Sequence, residues 1–232
     1  MMLEAEGLGK AFDGQTVLNG VNLRVRSGET LAVVGRSGCG KTTLLRLLAG
    51  FIQPDAGRVL LDGQAVTAPD SDRLMVFQSF DQLFPWYTLE QNVRFALAKT
   101  RPTLGKKEAR AVAAQCLAEM GLFEAAQKYP YQLSGGMKQR GAMARAMAIS
   151  PKALLLDEPF SSLDVVSREA ARQALGTLRA ATGAAVVLVT HDLREAASLA
   201  THIALMKAES KGIFRTMANE GERVAEMLEG LI

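Results

Sequence analysis

Gly35-Arg36-Ser37-Gly38-Cys39-Gly40-Lys41-Thr42 is a glycine-rich turn set between two regular elements. The apolar run Thr30-Leu31-Ala32-Val33-Val34 precedes it, and a helical pattern from Thr42 to Ala49 follows. The pattern G-x-x-x-x-G-K-[ST] between a strand and a helix cradles phosphate. Glycines let backbone N–H groups close around the anion, and the helix start adds its positive end. Lys41 is placed to reach the β- and γ-phosphates of a nucleotide, and the Thr42 hydroxyl to bind Mg²⁺. The expected contact set is Gly35, Ser37, Gly38, Cys39, Gly40, Lys41, Thr42 and Thr43. Cys39 reads as a loop filler rather than a redox switch, and Cys116 as a residue packed in a helix.

Working outward, three more apolar runs end in polar residues. Leu74 to Phe77 meets Gln78, Ala153 to Leu156 meets Asp157-Glu158, and Val186 to Thr190 meets His191-Asp192. The runs are continuous rather than alternating, as expected of strands buried on both faces of a parallel sheet. Helical patterns lie between them, for example Arg168 to Ala181, which is α/β wiring. Open sheets of this kind bind ligands beyond the carboxyl ends of their strands. Asp157 at such an end suits Mg²⁺, and Glu158 beside it suits activation of water.

The whole composition fits this reading. The chain has 232 residues, 48% hydrophobic and 22% charged, so it can bury a core and is neither a disordered chain nor a disulfide-stapled miniprotein. A net charge of +3 is too small to indicate a nucleic-acid binder. Two cysteines give no disulfide framework. No apolar run approaches the ~18 residues needed to cross a bilayer. The first residues lack a basic flank and an apolar signal core. The expectation is a soluble intracellular protein.

Leu133-Ser134-Gly135-Gly136-Met137-Lys138-Gln139-Arg140 is the second informative stretch. Ser134 reads as a helix N-cap, and Gly135 and Gly136 free backbone N–H groups at the helix start. That is a second anion site, although the same residues also suit a plain capped helix. One chain then holds two anion sites and one Lys-containing cradle, an arrangement met by a head-to-tail pair of chains.

From about residue 3 to about residue 206 the sequence resembles the ATP-binding cassette (ABC) ATPases, whose signature is Leu-Ser-Gly-Gly-x-x-Gln-Arg. The resemblance implies a fold: an α/β P-loop NTPase (RecA-like) core with a mainly parallel sheet, a small antiparallel β subdomain and an inserted helical subdomain. It also implies roles. Phe12 stacks on adenine, Gln78 touches Mg²⁺ and the attacking water, Glu158 is the catalytic glutamate and His191 orients the water at the γ-phosphate. Ser161-Ser162-Leu163-Asp164 crosses the dimer interface, Asp164 joining Ser134, Gly135 and Gly136 in the nucleotide contacts. Thr42, Gln78 and Asp157 form the metal set. The plainer alternatives are a buried strand residue for Phe12, a turn residue for Gln78 and a cap for His191. His202 matches no motif and reads as structural.

The resemblance divides the chain into a nucleotide-binding core at 1–87 and 147–208, a helical signature subdomain at 88–146 and a tail at 209–232. Helical patterns run over Leu89 to Lys99 and Lys106 to Met120. Residues 88–150 hold ten basic and four acidic residues, a local surplus of +6. Phe84, Trp86 and Tyr87 suit either a groove for a permease coupling helix near Gln78–Tyr87 or internal packing. Gln82 to Trp86, with Met137, resembles the nitrate/sulfonate/taurine importer group. After Met206 the sequence departs from the family's usual glycine-led hairpin, and Arg223 to Ile232 has the spacing of a small packing helix. The function implied is the ATP-hydrolysing subunit of an importer for a small solute. ATP and Mg²⁺ would be its ligands. Its partners would be a second copy or a related subunit, a permease and, indirectly, a solute-binding protein. It would lie at the cytoplasmic face of the membrane and bind no nucleic acid. The alternatives are a soluble family member in DNA repair, chromosome maintenance or cofactor assembly, or an exporter subunit.

Overall fold

The computed structural model describes residues 1–77 and 82–219. Gln78 and the expected helix over 223–232 lie outside the described residues. Two compact units emerge, one of residues 1–75, 152–158 and the stretch from 184 onward, the other of 76–151 and 159–183.

The first unit begins with a long hairpin. Strands β1 (Met2–Phe12) and β2 (Gln15–Arg26) pair antiparallel, with Phe12 opposite Gln15. Asp13 and Gly14, at φ 49° and 78°, form the two-residue loop between them, the left-handed geometry that matches strand twist. β4 (Ala56–Leu61) and the short β5 (Gln64–Ala65) complete a sheet of order β2-β1-β4-β5.

The second sheet has the order β10-β9-β3-β8-β7-β6. Its strands are β3 (Thr30–Val34), β6 (Arg73–Val76), β7 (Ala153–Asp157), β8 (Ala185–Thr190), β9 (His202–Lys207) and β10 (Gly212–Ala218). The pairs β9/β3, β3/β8 and β8/β7 are parallel. Every residue of β3, β7 and β8 is buried, as their unbroken apolar runs require. Helix α1 (Lys41–Ala49) packs its Leu44, Leu45 and Leu48 into the same core as Leu8, Leu18, Val33, Leu155 and Val187. Despite the atypical sequence after Met206, β9 and β10 do form an antiparallel hairpin, with Gly212 opposite Lys207.

In the second unit, α2 (Leu89–Thr100), α3 (Lys106–Glu119), α4 (Gly135–Ile149) and α5 (Val165–Thr182) bury Leu89, Val93, Leu97, Leu117 and Met143. Cys116 is buried on α3. Thr88 and Gln91 form a capping box at the start of α2, each side chain bonded to the other's backbone. A further short helix in the first unit, α6 (Leu193–Leu199), is capped by Asp192.

Asn92 secures the aromatic segment ahead of α2. Its Oδ1 accepts the Phe84 N–H at 2.7 Å, and its Nδ2 donates to the carbonyls of Phe84, Tyr87 and Thr88 at 3.0–3.2 Å. The side chain is fully buried, so truncation removes four hydrogen bonds, one of them to the buried Thr88 carbonyl. Asn92→Ala should destabilise the protein by about 1–3 kcal/mol, read as a lower urea midpoint with the slope unchanged.

Candidate functional site

The phosphate turn links β3 to α1. Gly40 caps the helix at φ 101°, and a Cβ there would lie 2.9 Å from Leu18 Cδ2 and 3.1 Å from Met206 Cε. Conformation and space therefore both demand glycine. Lys41 is buried, and its Nζ donates to the Gly35 carbonyl at 2.7 Å and the Arg36 carbonyl at 3.0 Å. The ammonium is thus held inside the turn by acceptors that phosphate oxygens can replace. Burial pushes the Cys39 thiol up, although Lys41 opposes the shift. That side chain is a packed, weakly nucleophilic filler.

Ser37, Gly38, Gly40, Lys41, Thr42, Thr43 and Glu158 line one cleft of about 280 Å³, together with Val17 of β2. Behind it the Thr42 hydroxyl donates to Asp157 Oδ1 at 3.2 Å. Burial raises the Asp157 carboxyl above the ordinary aspartate range; the hydrogen bond from Thr42 works against the shift, and the Glu158 charge adds to it. Glu158 itself has φ 44°, a left-handed conformation rare for a non-glycine residue. Its N–H donates to the Val189 carbonyl of β8 at 3.0 Å, which fixes that turn. Its Oε2 lies 3.1 Å from Nδ1 of His191, the residue after β8. The structure therefore brings a carboxylate and an imidazole together at neighbouring strand ends.

Phe12 ends β1 with 45% of its surface exposed, so it is not a buried strand residue. His202 opens β9 half-buried, with Nδ1 3.2 Å from the Thr201 hydroxyl.

In the second unit Ser134 caps α4, its hydroxyl accepting the Met137 N–H at 3.3 Å. Asp164 caps α5, accepting the Ser167 N–H at 2.9 Å, and hydrogen bonds from Ser167 hold its carboxyl below the usual range. A Cβ on Gly136 would fall 2.7 Å from Ser167 Cβ, so only glycine lets the starts of α4 and α5 touch. Ser134, Gly135, Gly136 and Asp164 thus form one cluster of two helix N-termini. Sequence reading missed Val17 and Ser167. The three-residue interval from Asp164 is a capping spacing that could have pointed to Ser167, whereas its approach to Gly136 is a tertiary contact.

The donors fit the expected metal. A threonine hydroxyl and a carboxylate are hard oxygen ligands, and Mg²⁺ characteristically takes one or two such groups and completes its shell with phosphate and water. Among the described residues no cluster of three or more His, Cys, Asp or Glu could hold an ion without such help.

Residues 18–161 match the sequence profile of the ABC transporter. The chain belongs to the ABC transporter family. It is an ATP-hydrolysing cassette whose phosphate turn, acidic strand end and capped helix were all visible as motifs. It is 41% identical over 226 residues to the taurine import ATP-binding protein TauB of Yersinia pestis bv. Antiqua (strain Antiqua), an alignment covering 97% of this chain and 88% of that protein. It is 46% identical over 186 residues to the nitrate import ATP-binding protein NrtD of Synechococcus elongatus, covering 80% of this chain and 68% of that one. Its structure resembles that of the dimeric post-hydrolysis state of the cassette MJ0796 bound to ADP and Pi. The TM-score is 0.81 at 32% identity, over 94% of this chain and 99% of that one. No helix among the described residues is long and apolar enough to cross a membrane.

The burial of Asp157 opposes stability to function. A carboxyl raised on folding favours the native state while protonated and loses that contribution as pH rises through its folded value. At pH 7 the ionised Asp157 is therefore a liability to the ligand-free protein. Asp157→Asn should raise the ligand-free melting temperature at pH 7, the gain shrinking as pH falls into the ordinary aspartate range, while Mg²⁺-dependent ATP turnover drops at least about 10²-fold. A melting temperature lowered at pH 7 would contradict this assignment.

Proposed function

We propose that this chain powers an importer for a small solute of the nitrate, sulfonate or taurine kind, as one of two cassettes bound beneath a membrane permease. The observation that carries the ATP-driven part of the reading is the Glu158–His191 pair, 3.1 Å apart beside the phosphate turn. The taurine and nitrate relatives are import proteins, which supports the direction of transport.

Lys41 exchanges the Gly35 and Arg36 carbonyls for β- and γ-phosphate oxygens, and backbone N–H groups of the turn take the rest of the charge. Thr42 and Asp157 hold Mg²⁺, which supplies charge neutralisation at the phosphates. Glu158 accepts the proton of the attacking water, and His191 orients that water and the carboxylate. General-base help of this kind is worth about 10²–10⁴ in rate. Phe12 stacks on adenine, and Gln78 joins the metal and water contacts. The second anion site belongs to the other copy's nucleotide: Ser134, Gly135 and Gly136 cover it across a head-to-tail dimer, with Ser161 to Asp164 at the crossing.

The permease meets the helical subdomain, residues 88–146, next to the aromatic segment ahead of it. There Phe84 packs on Phe95 at 4.9 Å between centroids and on Trp86 at 5.6 Å. Phe84 is half-buried and Trp86 is 65% exposed, so the cluster has an inner, structural ring and an outer ring available to a partner. This attachment puts the protein at the cytoplasmic face of the membrane.

Glu158→Gln should keep ATP affinity, slow turnover at least about 10²-fold and accumulate a nucleotide-bound dimer. Sizing chromatography with MgATP that gives only monomer would overturn the head-to-tail reading. Lys41→Ala should abolish nucleotide binding in calorimetry. Affinity capture of the wild-type chain from membranes should recover a polytopic permease.

A further inference from the structure

Phe12 closes β1 at the tip of an exposed hairpin, where the core does not fix its ring. Its neighbour on the same strand does contact it. Lys10, two residues earlier, places its ammonium 5.5 Å from the ring centroid. The Lys10 side chain is only 16% exposed, so its stem lies along the protein rather than in solvent.

The ammonium is itself tied down. Asp55, just ahead of β4, accepts Lys10 Nζ on Oδ1 at 2.7 Å and the Ala11 N–H on Oδ2 at 2.7 Å. The Asp55 N–H in turn donates to the Gly9 carbonyl at 2.9 Å. Both carboxylate oxygens and the backbone of Asp55 therefore grip three consecutive residues of β1. The Lys10 hydrogen bond, followed by that from Ala11, holds the Asp55 carboxyl below the ordinary range. A lone exposed ion pair would give little. Here the second oxygen fixes the geometry, and the cation has one place to sit.

We propose that Lys10, clamped by Asp55, is a positioning residue for the nucleotide base: it holds the Phe12 ring and backs one face with positive charge, leaving the opposite face to stack a purine. The proposal rests on the reading of Phe12 as the base-stacking aromatic. An aromatic face is electron-rich and attracts a cation. A cation on one face draws density from the other, which then stacks better against an electron-rich purine. The arrangement also selects a ring orientation before ligand arrives, so less is lost in ordering on binding.

The test compares two ligands by calorimetry on the full chain. ATP engages both ring and phosphate turn, whereas inorganic tripolyphosphate engages only the turn. Phe12→Ala should weaken ATP at least about fivefold and leave tripolyphosphate unchanged. Lys10→Met, which keeps the stem and removes the charge, should weaken ATP about two- to fivefold, again with tripolyphosphate unchanged. Asp55→Asn should follow Lys10→Met, and Lys10→Arg should restore ATP affinity. If Phe12→Ala leaves ATP binding intact, the stacking reading fails and the proposal with it. If Phe12→Ala weakens ATP and Lys10→Met does not, the stacking stands and the role of Lys10 is overturned. Loss of tripolyphosphate binding in Lys10→Met would also overturn it, because Lys10 would then act on the phosphates or on the fold as a whole.

Discussion

The registration of three parallel strands is the constraint on which the candidate site depends. Val33 of β3 lies opposite Val189 of β8, and Val189 lies opposite Asp157 of β7. With the ladders level, the residues just beyond them emerge along one rim: the phosphate turn after Val34, His191 after Thr190 and Glu158 after Asp157. A slip of one residue would turn each of these side chains to the other face of the sheet. The register is not chosen by an alternation of apolar and polar residues, since all three strands are buried along their whole length; the backbone ladders and the close packing of these side chains against the helices hold it. Segments far apart in sequence are thus brought to one rim by the pairing of these strands.

That rim also carries opposed local preferences. Glu158 stands in a left-handed backbone conformation and Asp157 holds a carboxyl that burial would rather keep neutral. Neither is the most stable choice for its position. Hydrogen bonds hold both: the Glu158 N–H donates to the Val189 carbonyl of β8, and Asp157 accepts from the Thr42 hydroxyl. The surrounding core, including fully buried Leu154, Leu155, Leu156, Val187 and Leu188, offsets the expense. Strain of this sort is characteristic of working sites.

Much of this was legible in the sequence because it is local. The apolar runs at Thr30–Val34 and Ala153–Leu156 became β3 and β7, and the cap Ser134 became the start of α4. The glycine turn declared its own conformation. What the sequence hid is what only tertiary structure creates. Nothing near Lys10 in sequence announces Asp55, and nothing in the signature stretch announces that Gly136 must admit Ser167. The segment after Met206 departs from the family's usual pattern, yet β10 still pairs with β9, because Gly212 and Ile213 find partners across the hairpin in Lys207 and Met206. The second sheet's edge overrode a weak local signal, as tertiary pairing does for short strands.

Trp86 is the only tryptophan in the sequence, and it stands 65% exposed on the aromatic cluster beside the half-buried Phe84. The protein therefore carries one indole, on one surface, with no other indole to blur its emission. Light emitted from that ring reports the wetness of a single patch. The fold has in effect supplied its own optical gauge of whether that face is in water or covered.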